Sequence, residues 1–96
     1  MQTALLTTAM SGSTSLSEDK IYARLIRALV DARREAGHRQ VDVARRLGRP
    51  QAFVSRYETL ERRIDMGQFV GIAQAIGVDP VALLSEALRD QSEADA

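Results

Sequence analysis

Four side chains between Gln51 and Arg56 carry the chemistry best suited to recognising another molecule. Gln51, Ala52, Ser55 and Arg56 stand at i, i+1, i+4 and i+5, a spacing that gathers them on one side of a helix. A glutamine amide presents a donor beside an acceptor and matches the major-groove edge of adenine; a guanidinium presents two parallel donors and matches guanine. Ala52 and Ser55 are small enough to let a helix approach a base edge closely. Glutamate and bulky apolar groups are missing from this side. Phe53, Val54, Tyr57 and Leu60 fall on the other side and form an inner face. The same phase assigns Tyr57 to the core rather than to base stacking.

Charge distribution agrees with this chemistry. The 96-residue chain is neutral overall, but Arg33–Arg63 holds nine arginines against four acids, and the stretch from Ile64 onward has one arginine against six acids. A basic middle beside an acidic end marks a nucleic-acid face. Arginine supplies nearly all of the positive charge, which favours bidentate contact with phosphate or guanine. There is no cysteine, and His38 is the one histidine, so no metal site or disulfide is expected. No nucleophile–base pair or glycine-rich phosphate loop is present, so the chain is not expected to be an enzyme and no cofactor or small-molecule ligand is implied. No apolar run is long enough to span a bilayer. The first ten residues lack the basic start and long apolar stretch of a signal peptide, and a cytoplasmic location is expected.

The elements that must position these residues follow from helical periodicity. Residues 1–16, rich in Ser and Thr, read as a disordered tail; residues 17–89 read as one domain, and 90–96 as an acidic C-terminal tail. Within the domain the pattern predicts five helices and no strand: an all-α fold. Helix 1 spans about Ser17–Ala36, with Ile21, Leu25, Ile26, Leu29, Ala32 and Ala36 on one face and Arg33 inside that apolar arc. Helix 2 spans about Gln40–Leu47 and is closed by Gly48. Helix 3 starts at Pro50 and runs to Leu60. Helix 4 is capped by Asp65 with Gln68 three residues on, and is expected to bury Met66, Phe69, Val70, Ile72, Ala73 and Ile76. Helix 5 has Asp79 as cap and Pro80 first, with Val81, Leu84 and Leu88 in one stripe and Leu83 and Ala87 in a second.

Two short helices joined by a tight turn at Gly48 have the shape of a helix-turn-helix. The stretch Q-V-D-V-A-R-R-L-G-R-P-Q-A-F-V-S-R-Y-E, Gln40 to Glu58, resembles the Cro/repressor-type, or XRE, family of transcriptional regulators. Gln40 first, Ala44 fifth, Gly48 ninth and Val54 fifteenth carry the likeness. Downstream, I-A-Q-A-I-G-V-D-P and V-A-L-L look like that family's fourth and fifth helices. The resemblance implies a compact five-helix, lambda-repressor-like domain that reads double-stranded DNA in the major groove with helix 50–60. It implies base contacts from Gln51, Ala52, Ser55 and Arg56, and a phosphate contact from Gln40. Arg39, Arg49, Arg62 and Arg63 are placed as further phosphate contacts. It also implies an ion pair between Arg33 and Glu58, which would give Arg33 its partner in the apolar arc.

Three positions depart from the family pattern. Arg39 stands where a Ser or Thr cap is usual, so helix 2 loses a side-chain acceptor. Arg49 occupies a turn position that is often apolar. Leu60 replaces a glycine, and a strained leucine there would make helix 3 extend or leave in another direction. The function expected is that of a repressor. The alternative is an antitoxin-like module that neutralises a partner protein and binds its own operator. A single helix reads few base pairs, so a homodimer on a palindromic operator is expected. The Leu83 and Ala87 stripe could be core or the seam of that dimer.

Overall fold

The computed structural model describes residues 17–95, and among them are five α-helices and no strand. The expected N-terminal tail, 1–16, lies outside the described residues. Helix α1 covers Glu18–Glu35, α2 Gln40–Leu47, α3 Gln51–Glu58, α4 Met66–Ile76 and α5 Pro80–Asp95. The fold is all-α, as the periodicity requires. No single helix among the described residues is long and apolar enough to cross a membrane.

Three of the helices start on a side-chain acceptor. The Ser17 hydroxyl accepts from Lys20 N–H at 3.2 Å to open α1. Asp65 and Gln68 form a reciprocal capping box on α4, at 2.7 and 3.0 Å. Asp79 accepts from Val81 N–H at 3.0 Å and starts α5. Pro50 is the cap of α3 and not its first residue. At α2 the cap is Arg39, and the missing acceptor is compensated from the other direction. The Asp42 carboxylate accepts the Arg39 backbone N–H at 2.7 Å.

Helices α1 to α4 end alike. In each, an N–H closes on the carbonyl five residues earlier: His38 on Arg33, Arg49 on Ala44, Glu61 on Arg56, Val78 on Ala73. This closure needs a left-handed residue just after the helix. Glycine supplies it three times; after α3 Leu60 does so, at φ +67°. The expectation that a leucine would make α3 extend or exit differently is therefore corrected. The helix stops at Glu58 and the chain turns as it would with glycine, because the closing Glu61 and Arg62 N–H bonds to Arg56 hold Leu60 in place. Leu60 is half exposed and does not belong to the inner face.

One core joins the helices. Leu29 of α1, Val43 of α2, Val54 and Tyr57 of α3, and Ile72 of α4 are the largest fully enclosed side chains. Burying each such aliphatic group stabilises the fold by about 1.5–3 kcal/mol against the entropy of ordering the chain. Met66 is 62% exposed and is not core: it sits on the first turn of α4, on the flank of the buried face.

The two stripes of α5 exchange roles. Leu83 and Ala87 are buried, at 6% and 4% exposure, whereas Val81 and Leu88 are exposed at 67% and 45%. The seam expected at Leu83 and Ala87 is thus corrected, since both are consumed by packing inside the chain. The cause is the sharp turn of 106° between α4 and α5, which lays α5 along α1 and brings Leu83 beside Ala28 and Ala32. Periodicity reveals both stripes but not which one that turn directs inward. α5 also continues to Asp95, across the stretch expected to form a separate tail, because no glycine or proline follows Pro80 to stop it.

Candidate nucleic-acid interface

α2 and α3 are joined by only Gly48, Arg49 and Pro50. Gly48 takes φ +69°, and buried Ala44 leaves room for α2 to pack closely on α3. Phe53, Val54 and Tyr57 anchor α3 from within, with Phe53 and Tyr57 in an edge contact at 5.5 Å between ring centres. Burial pushes the Tyr57 hydroxyl above its ordinary pKa, with a smaller push from the Glu58 carboxylate, so it stays neutral. With that face fixed, Gln51, Ala52 and Arg56 are exposed together, and Ser55 is half buried beside them.

Behind this surface lies an ion pair. Arg33 Nε donates to Glu58 Oε2 at 2.7 Å, and Arg33 Nη2 donates to Glu58 Oε1 at 3.0 Å. Both side chains are more than nine-tenths enclosed. Arg33 Nη1 donates to the His38 carbonyl at 2.8 Å, so the guanidinium has acceptors on each nitrogen. The hydrogen bond to Glu58 raises the Arg33 pKa further, against the opposing effect of burial. This pair ties α1 to the end of α3.

The pair continues outward. Gln40 Nε2 donates to Glu58 Oε1 at 2.9 Å, and Gln51 Nε2 donates to Gln40 Oε1 at 3.2 Å. Gln40, the expected phosphate contact, therefore already commits one amide hydrogen to Glu58. Its second hydrogen has no acceptor among the described residues.

The flanking arginines separate by what holds them. Arg49 and Arg62 both lie over the Phe53 ring, at 4.4 and 5.1 Å from its centre. Two guanidiniums are thereby stationed next to the start of α3. Arg63 reaches back to α1, bonding Asp19 at 2.9 Å and covering the Tyr22 ring at 4.2 Å. Arg39 pairs with Asp42 at 3.2 Å. The Arg39 side chain, followed by its backbone N–H, holds the Asp42 carboxyl down at about 2.

Three contacts escape sequence reasoning. Arg46 Nη1 donates to the Ala75 carbonyl at 2.8 Å, which ties α2 to the last turn of α4. Tyr22 accepts the Ile64 N–H at 3.0 Å and fixes the loop before α4. The Phe53 ring is a platform for cations as well as a core group. The acidic partner of Arg39, three residues after this cap of α2, had a local signal.

Residues 22–87 match the helix-turn-helix domain family. A solved structure described as an XRE-family like protein from Pseudomonas syringae pv. tomato str. DC3000 is 43% identical to the chain, with a TM-score of 0.74. The similarity covers 80% of this chain and 94% of that one. No curated protein matches the chain.

Proposed function

The chain belongs to the XRE-type helix-turn-helix family of DNA-binding regulators, and from that membership we propose that it is a repressor which reads a palindromic operator as a homodimer. α3 enters the major groove. Gln51 and Arg56 read base edges, Ala52 and Ser55 permit the close approach, and Gln40, Arg49 and Arg62 hold phosphates on either side. The observation that carries this reading is the exposed trio Gln51, Ala52 and Arg56 on a helix whose opposite face is locked into the core. Arg39 and Arg63 add positive charge at the rim, although both already hold acidic partners. The apolar surface available for a second copy is the exposed Val81 and Leu88 stripe of α5.

Selection of bound sites from a pool of random duplexes tests the base reading. The wild-type motif is expected to contain two inverted half-sites about 34 Å apart. Arg56→Ala is expected to cost about 1–3 kcal/mol at one base pair per half-site and to relax choice there. An unchanged motif for Arg56→Ala would mean that α3 presents a different face.

A further inference from the structure

We propose that the buried Arg33–Glu58 pair is a positioning element for specificity: it fixes which way round the Gln51 amide faces and so makes that residue select adenine over guanine. This rests on the base-reading role of Gln51 proposed above.

Hydrogen-bond polarity passes from the ion pair to the surface. Arg33 can only donate, and it occupies both Glu58 oxygens. With a donor from Arg33 on each oxygen, the carboxylate can only accept from Gln40. Gln40 must therefore turn its NH2 group toward Glu58, at 2.9 Å, which leaves its carbonyl oxygen facing α3. That oxygen in turn can only accept, so Gln51 must turn its NH2 group toward Gln40, at 3.2 Å. What Gln51 then offers outward is one N–H beside one carbonyl oxygen. A donor beside an acceptor complements adenine N7 and N6; it does not complement the two acceptors of guanine. Were the Gln51 amide reversed, both its hydrogens would face outward and guanine would be accepted. A charge enclosed between α1 and α3 thus sets a preference at the surface without touching the ligand.

The pair can be removed without stranding a charge. Replacing a buried ion pair by apolar groups of similar volume is often neutral or stabilising. The experiment compares wild type, Gln51→Ala, Gln40→Met and the double variant Arg33→Met/Glu58→Leu. Affinity is measured for the duplex selected by wild type, and for the same duplex with adenine changed to guanine at the base pair where Gln51→Ala relaxes choice. The ratio of the two affinities cancels any uniform loss of phosphate contacts. The double variant is expected to keep its helical circular dichroism and to lose adenine-over-guanine discrimination about tenfold, the weight of one hydrogen bond to a charged group. Gln40→Met breaks the same relay at the rim and is expected to lose as much at the same base pair. It supplies the test if the double variant does not fold. Full discrimination in a folded double variant, or in Gln40→Met, would overturn the proposal. If instead Gln51→Ala changes no base preference in wild type, the base-reading role itself fails, which is a separate outcome.

Discussion

Leu60 holds a left-handed backbone that costs an L-residue roughly 1–2 kcal/mol. Its side chain is half exposed and recovers little by burial. Leu60→Gly removes the strain and incurs about 0.4–1 kcal/mol of added unfolded-state freedom. The expected result is a gain of roughly 0.5–1 kcal/mol in urea unfolding, with an unchanged m-value. A loss of stability would mean that the leucine packs to more effect than its exposure suggests. Asp42 gives a prediction in acid. Its folded pKa of about 2 lies below the ordinary 3.8, through bonds from Arg39. A carboxyl more acidic in the folded state stabilises the fold fully above its unfolded pKa, and that contribution disappears as pH falls through the folded value. The difference in melting temperature between wild type and Asp42→Asn is expected to close as pH drops from about 4 to about 2. A difference that stays constant over this window would show that Asp42 acts through shape alone. At this scale the sequence is legible where a residue conflicts with its surroundings. Arg33 in an apolar arc had either to snorkel or to find a carboxylate, and the family likeness pointed to Glu58. The bond from Arg46 to Ala75 had no such signal, because 29 residues separate the partners.

At the scale of helices, the five elements follow from short-range rules, so their order and approximate bounds could be read in advance. What could not be read is how α5 rolls on α1. The Val81/Leu84/Leu88 and Leu83/Ala87 stripes are nearly equivalent by period, and only the turn at Gly77–Pro80 decides which is buried. α2 illustrates the same limit. Arg45 and Arg46 are neighbours in a basic run, equally suited to solvent or phosphate, yet only Arg46 reaches the α4 carbonyl. Arg46→Ala is expected to lower stability by about 1 kcal/mol, the net worth of a partly solvated hydrogen bond. Arg45→Ala, whose contact with Asp42 at 3.7 Å is exposed, is expected to change it far less. Equal losses in chemical denaturation would show that the tie between α2 and α4 carries no weight.

For the whole molecule, neutrality conceals polarity. The excess of arginine lies around α2 and α3, and the acids gather toward the end of α5. Val81 and Leu88 of α5 remain exposed; sedimentation at micromolar concentration is expected to show a dimer for wild type and a monomer for Val81→Glu/Leu88→Glu. A wild-type monomer, even on a duplex with two half-sites, would remove the homodimer from the account. Specific, salt-sensitive recognition of duplex DNA is tested by one titration series. Affinity for a selected duplex and for a random duplex is measured across a range of salt concentrations. Binding to the selected duplex is expected to be tighter by about 10³-fold or more, with both affinities falling steeply as salt rises, because arginines displace counterions from phosphates. Equal affinities with a flat salt response would rule out sequence-specific recognition of DNA.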